Sequence, residues 1–267
     1  MIMREIYYFY AKFFAKNIFS KFNKLLFNLS LRGLGVFNYQ DITISGEQKF
    51  LENYLSKLVS PVIFDIGAGK GEYTSYCIHV NRHARVYAFE PHPKTFKILK
   101  NSVSGEGVLV VNKAISNSKG KMQLYDYKDN QGSSHATLCQ DVIEKVHGGD
   151  SISCDVEVVT LDEFVTENKI NKIHLLKIDV EGNEMNVLRG AKKSLEKDIF
   201  DVIQFEFTQI NSVSRVFMKD YFDLLGAKFS LHRLLPNGLL SLGEYFSTTH
   251  EIYGYQNIVA IRREKNV

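Results

Sequence analysis

Hydrophobic positions fall first in helical stripes and then in short runs. Ile2, Ile6, Phe9 and Phe13 make one stripe, and Phe14, Ile18, Phe22, Leu25 and Leu29 make a second. At about 100° per residue the two stripes face different ways, so two short helices fit better than one straight amphipathic helix. Residues 46–59 (GEQKFLENYLSKLV) repeat the helical spacing through Phe50, Leu51, Tyr54, Leu55 and Leu58, and Pro61 ends it.

After Pro61 the period changes. Runs of strand length at 62–66, ARVYAFE (84–90), GVLVVNKA (107–114), IHLLKID (173–179) and DVIQFEF (201–207) alternate with helical stretches. Those stretches are 71–80, with Tyr73, Tyr76, Cys77 and Val80 on one face; PKTFKILKNS, whose prolines suit a helix entry; 183–197, with Met185, Leu188, Ala191 and Leu195 inward; and one near 212–225. Residues 227–232 and 257–263 read as closing strands. The rhythm breaks over 115–160. There KMQLYDY and CDVEVVT have period two around a Gly/Ser/Asn-rich segment, which predicts an inserted β-hairpin or a pair of edge strands. Thr160 and Glu163 have capping-box spacing. Alternating β and α units predict an α/β fold: a Rossmann-like, mostly parallel sheet with helices on both faces. Such sheets take ligands at the carboxyl ends of their strands, near the switch point. The expected organisation is a helical appendage over 1–60 and a sheet domain over 61–267.

Composition narrows the classes. Hydrophobic content of 45% and charged content of 24% are ordinary for a globular chain. A net charge of +3 gives no argument for nucleic acid. Cys77, Cys139 and Cys154 form neither a disulfide frame nor a zinc spacing, which suits a reducing, cytoplasmic setting. No apolar run approaches the ~20 residues that span a bilayer. Residues 1–40 carry six basic side chains (Arg4, Lys12, Lys16, Lys21, Lys24, Arg32) against one acid, Glu5. Lysines interrupt every apolar core a secretory signal would need. Two expectations follow: short helices docked on the core, or a basic anchor giving peripheral membrane contact through residues 1–40.

The stretch VIFDIGAGKGEYT (62–74) places glycines where the first strand meets its helix. Backbone N–H groups and a helix amino terminus favour a polar or anionic ligand group there. A dinucleotide site wants G-x-G-x-x-G, yet the third position counted from Gly67 is Glu72. The pattern present is D-x-G-x-G-x-G, from Asp65 to Gly71. A carboxylate where a pyrophosphate would lie disfavours a dinucleotide and suits a ligand with a positively charged end. Glu90 ends the second strand, where an acid can accept both ribose hydroxyl hydrogens.

DIGAGKGEYT, AFEPHPKTFKILKNS, TLDEF, LLKIDVEGNEMNVLRGA, IQFEF and NIVAI together resemble the FkbM-type S-adenosylmethionine-dependent methyltransferases, in that family's order, over roughly residues 45–263. Residues 1–44 lie outside the resemblance. It implies a class I methyltransferase fold, S-adenosylmethionine as cofactor, and O-methylation of a carbohydrate, surface glycan or related small molecule. Carried over, Asp65, Gly67, Gly69, Gly71 and Glu90 would hold the cofactor, and the expected wall includes Ala68, Tyr73, Pro91, Ala114 and Asp179.

Methyl transfer to a hydroxyl needs positioning and a group that takes the proton. Asp179 ends the fourth core strand, Glu181 follows two residues on, and Glu206 sits within the apolar IQFEF. A carboxylate in a buried strand is costly unless paired, so Glu206 is either functional or an ion-pair partner of Lys177 on the neighbouring strand. Asp179, Glu181 and Glu206 are also the candidate ligands of a divalent metal, which ranks behind direct base catalysis. His135, with Ser133 and Ser134 in the inserted segment, is either a base or substrate contact or part of a solvated loop. After the fourth strand the chain reads DVEG, without the proline-aromatic segment expected of enzymes that stack on a flipped base, so no nucleic-acid partner is expected. The rival expectations are an NAD-dependent oxidoreductase, disfavoured by Glu72, and a non-catalytic cofactor-binding module.

Overall fold

The computed structural model describes residues 2–103, 105 and 107–264. In chain order its helices and strands begin with α1 (Ile2–Phe14), α2 (Ser20–Gly33) and α3 (Glu47–Leu55). Then come β1 (Val62–Ile66), α4 (Glu72–Val80), β2 (Arg85–Phe89), α5 (Pro93–Ser102), β3 (Val108–Val111), β4 (Ala114–Ile115) and β5 (Gly120–Tyr127). The chain continues through β6 (Ser151–Val159), α6 (Leu161–Glu167), β7 (Ile173–Ile178), α7 (Glu184–Arg189), α8 (Lys192–Glu196) and β8 (Phe200–Phe207). It closes with α9 (Ile210–Ser214), α10 (Met218–Leu225), β9 (Phe229–Leu235), β10 (Gly238–Ser241), α11 (Ser247–His250) and β11 (Gln256–Arg262).

Eight strands form the central sheet in the order β10-β9-β11-β8-β7-β1-β2-β3. The contacts β3–β2–β1–β7–β8 are parallel, while β11 lies antiparallel to both β8 and β9. The chain steps outward from β1 to β3 and returns to β7 on the other side of β1. The switch point therefore lies between β1 and β7, where ligands of open α/β sheets bind. Register aligns the strand ends there: Ile66 faces Phe89 on one side and Ile178 on the other. One face of the sheet is packed by a cluster that includes Phe64, Tyr87, Phe89, Phe164 and Leu188; the other by Phe50, Leu51, Leu55, Ile63 and Cys77. Each such fully buried side chain contributes roughly 1.5–3 kcal/mol. Helix α3 thus belongs to the packing of the sheet through Phe50, Leu51 and Leu55.

Several expectations require correction. The inserted β5–β6 pair is antiparallel as its period predicts, but it forms a separate three-stranded sheet with β4 and is not an edge of the central one. The single helix expected over 183–197 is two, because a Cβ on Gly190 would lie 2.1 Å from the Ser116 carbonyl oxygen and the Gly190 carbonyl accepts from Asp162 N–H (3.0 Å). The helix expected near 212–225 is split at Arg215, whose φ of 55° ends α9. On α4 the fully buried side chains are Thr74 and Cys77, while Tyr73, Tyr76 and Val80 are only partly covered. Docking of the first two helices on the core is not observed: α1 buries none of its described residues and α2 only Leu31.

Candidate active site

A cleft of about 880 Å³ opens at the carboxyl ends of β1, β2 and β7. Asp65, Gly67, Ala68, Gly69, Tyr73, Glu90, Pro91 and Ala114 line it on one side, and Asp179, Glu181 and Glu206 also line it. Gly71 and His135 are not among its lining residues. Of the predicted cofactor positions all but Gly71 are therefore brought together; of the predicted catalytic ones, all but His135.

The glycines divide by role. A Cβ on Gly67, at φ +84°, would lie 1.8 Å from the Asp179 carbonyl oxygen. This glycine lets β7 close on β1, a contact fixed by Asp179 N–H donating to the Ile66 carbonyl at 2.9 Å. Gly69, at φ +55°, has nothing within 4 Å of its Cβ position, so its backbone faces open cleft. A Cβ on Gly71 would meet the Val103 and Leu99 side chains at 2.6 and 2.8 Å, so of the three glycines only Gly69 leaves open space.

Glu90 is held against that loop. Its Oε2 accepts from Gly69 N–H (3.0 Å) and its Oε1 from His92 N–H (2.8 Å). Burial pushes its carboxyl up to about 7, although both backbone bonds pull the other way. Asp65, also buried, accepts from the Thr74 hydroxyl (2.6 Å) and is pushed up to about 6 by burial. Glu72 also faces the cleft.

The far side of the cleft is a charge cluster around Lys177. Its Nζ lies 3.3 Å from Glu47, 3.5 Å from Asp179 and 3.7 Å from Glu206, and 5.6 Å from the Tyr73 ring. Burial alone would lower the Lys177 ammonium, but Asp179, Glu47 and Glu206 outweigh it and hold it charged. Glu206 is pushed well above the usual carboxylate range, by burial first and by Asp179 second, while Lys177 pulls it the other way. Tyr255 donates its hydroxyl to Glu206 Oε1 (3.0 Å). Asp179 is the most open of the three candidate carboxylates, 35% exposed against 17% for both Glu181 and Glu206.

The inserted segment supplies the lid side. Asp126 accepts from Gly132 N–H (2.5 Å), Ser133 N–H (3.1 Å) and the Ser133 hydroxyl (2.5 Å), folding 130–137 so that Ser133 and Ser134 line the cleft. His135 turns outward; its Nδ1 is 3.2 Å from Glu181 Oε1, and that hydrogen bond raises its pKa. Glu181 adopts a left-handed φ of 51°, uncommon for a residue with a side chain. The turn that carries it is tied by Glu184, whose Oε1 accepts from Val180 N–H (3.2 Å) and Gly182 N–H (3.0 Å).

Sequence reasoning missed Glu47, Tyr39, Asn183 and Tyr255 as cleft residues. Glu47 opens α3 and reaches Lys177 across the sheet end, a contact no local pattern signals. The acid at Glu184 within IDVEGNE was the one available hint of a tied turn.

Residues 65–230 match the family model described as the methyltransferase FkbM domain. The chain is similar to the hexuronic acid methyltransferase AglP of Haloferax volcanii, 25% identical over 164 residues, covering 60% of this chain and 63% of that protein. It is also similar to the 2-O-methyltransferase NoeI of Sinorhizobium fredii, 23% identical over 187 residues, covering 67% of this chain and 76% of the relative. The chain thus spans a little over three-fifths of AglP. Among solved structures, the METTL16 methyltransferase domain superposes with a TM-score of 0.46 at 12% identity, covering 82% of this chain and 67% of that one.

Proposed function

The chain belongs to the FkbM methyltransferase family, and on that premise we propose that it transfers a methyl group from S-adenosylmethionine to a hydroxyl of a carbohydrate. The observation that carries the reading is the joint placement of Gly69 and Glu90 on one wall of the cleft and Asp179 on the other. The wall fits that cofactor: the buried Glu90 carboxyl, with one backbone donor on each oxygen and lone pairs to spare, is chemically matched to a ribose diol, and the Gly69 backbone leaves room beside it. Bound there, the cofactor supplies an electrophilic methyl on a good leaving group.

The chain's own residues do the rest. Asp179, the most open carboxylate, takes the proton from the acceptor hydroxyl, and Lys177 behind it offsets the other acids. Glu206, held by Lys177 and the Tyr255 hydroxyl, closes the same wall of the cleft. Ser133, Ser134 and Asn183 line the same cleft and supply the hydroxyl and amide groups that a sugar needs. The similarity to AglP and NoeI supports a small carbohydrate acceptor. The test is mass spectrometry of candidate glycosides, a hexuronic acid glycoside among them, incubated with protein and S-adenosylmethionine. A methyl increment on a hydroxyl is expected, and Asp179→Asn should lower the rate by roughly 10²–10⁴ while S-adenosylhomocysteine still binds. Transfer that survives in Asp179→Asn removes Asp179 as the base.

We also infer that α1 and α2 lie on an anionic lipid surface. The supporting observations are exposed apolar side chains, Phe9, Phe13, Phe22, Leu25, Phe27 and Leu29 among them, interspersed with six basic residues against one acid. The pair holds itself together, Tyr10 donating to Asn23 (2.6 Å) and Phe14 packing on Phe19 with ring centroids 5.2 Å apart. Inserted apolar side chains contribute up to ~1.5–3 kcal/mol each, and each nearby cation about 1 kcal/mol on an anionic surface. Among the described residues no helix is long and apolar enough to cross a membrane. The full chain should co-sediment with vesicles containing phosphatidylserine and not with neutral phosphatidylcholine vesicles, and Phe22→Asp/Leu25→Asp should abolish it. Equal behaviour of the variant, or self-association in place of vesicle binding, overturns this.

A further inference from the structure

At the rim of the cleft, one group of side chains has the composition of a metal centre. His135, His147 and Glu181 come from three separate segments: the loop after β5, the end of the π-helical turn Val142–Val146, and the turn after β7. One ligand atom from each lies within 4.8 Å of the others, and among the described residues no other group of three His, Cys, Asp or Glu side chains meets that spacing. His135 Nδ1 is 3.2 Å from Glu181 Oε1, and the two imidazole rings are 4.6 Å apart between centroids.

The second observation is an orphan. His147 Nε2 is buried and has no hydrogen-bond partner among the described residues. Buried polar atoms nearly always have a partner, so one without is a place to look for a missing ligand. The surroundings are fixed without using the ligand atoms. Tyr127 packs edge-on to both rings, at 6.2 and 6.0 Å, and the Thr137 hydroxyl donates to the Glu181 carbonyl (2.7 Å), anchoring the backbone that carries the carboxylate.

We propose that His135, His147 and Glu181 bind one divalent transition cation of the zinc type, which ties the inserted segment to the turn after β7. Two imidazoles and one carboxylate form a borderline N/O donor set, which suits zinc better than calcium or magnesium. In a tetrahedral site with bonds of about 2.0–2.1 Å the ligand atoms sit about 3.3 Å apart. No separation here therefore has to close by more than about 1.5 Å, within reach of side-chain rotation for these half-buried residues; the His135 side chain is 44% exposed. The fourth position is left for water or an oxygen ligand. This set differs from Asp179, Glu181 and Glu206, the ligands expected from sequence: there the Lys177 ammonium already supplies the cation, 3.5 and 3.7 Å from Asp179 and Glu206.

The test reads metal, not turnover, and so is independent of the methyl-transfer reading. Full-length protein is stripped with a chelator, dialysed against zinc, desalted, and assayed by elemental mass spectrometry and by thermal unfolding. One zinc per chain and a raised Tm are expected. His147→Ala, which removes no hydrogen bond from the fold, should weaken zinc binding at least tenfold, as should His135→Ala, while His83→Ala, at an exposed histidine in the turn between α4 and β2, retains it. Cobalt should bind with the same stoichiometry and give visible d–d bands that are lost in His147→Ala. Sub-stoichiometric zinc in the parent protein, or equal uptake by the parent and both variants, shows that the trio is a hydrogen-bonded cluster only and overturns the proposal.

Discussion

Gly67 and Gly69 look equivalent in the sequence, and the structure predicts opposite consequences for replacing them. An alanine at 67 must hold a left-handed φ of +84° and place its Cβ 1.8 Å from the Asp179 carbonyl oxygen. The neighbour is backbone, so relief requires β1 and β7 to separate and strains the 2.9 Å bond from Asp179 N–H to Ile66. The left-handed conformation costs roughly 1–2 kcal/mol and the overlap roughly 1–3 kcal/mol. Together that is about 2–5 kcal/mol, or a fall in Tm of roughly 5–15 °C for a domain of this size. An alanine at 69 meets nothing within 4 Å and carries only the conformational cost of roughly 1 kcal/mol. Its methyl group projects into the cleft, so its effect should fall on cofactor affinity, at least tenfold by calorimetry with S-adenosylhomocysteine. The assay is a thermal melt and a titration on each variant. A Gly67→Ala protein that melts with the parent, or a Gly69→Ala protein of unchanged affinity, refutes the division of roles.

Other outcomes follow from the buried charges. Glu90→Gln removes a charge-assisted acceptor worth roughly 1.5–3 kcal/mol, so S-adenosylhomocysteine should bind about 10–100-fold more weakly. The folded-state carboxyl of Glu90 titrates near 7 and its unfolded counterpart near 4.5, so between those values the folded state holds the extra proton. Its contribution to stability is complete below the lower value and is lost as pH rises through the upper one, by at most about 1.4 kcal/mol per pH unit. Melts of the ligand-free parent and of Glu90→Gln across pH 4–8 should differ in slope with that sign; parallel curves would contradict it. Lys177→Met leaves Glu47, Asp179 and Glu206 without their cation and should cost roughly 3–5 kcal/mol by urea unfolding. Adding Glu206→Gln should recover part of that loss, and a double variant less stable than Lys177→Met alone would show that Glu206 is not the uncompensated group.

The parallel core was legible because each of its strands is a mostly apolar run of strand length, and VIFDI and IHLLK need no tertiary information to be read. The same periodicity failed where tertiary contact overrides it. MNVLRGAKKSLE has one helical stripe, but the approach of Ser116 at Gly190 breaks it in two. The aromatic stripes of α1 and α2 look like core-facing surfaces, yet among the described residues α1 buries none and α2 only Leu31. At the cleft, Glu90 and Asp179 were visible because strand ends fix their position. Glu47 and Tyr255 were not, because they reach Lys177 from segments 130 and 78 residues away in the chain. His135 was found as a loop histidine, but its outward turn toward Glu181 and His147 depends on how Asp126 folds the loop.

Titration calorimetry with S-adenosylhomocysteine and with NAD, run side by side on the full-length protein, tests the central claim most directly. The account predicts one molecule of the first bound per chain, weakened in Glu90→Gln, and no heat from the second. Binding of NAD alone, or of neither, would contradict it.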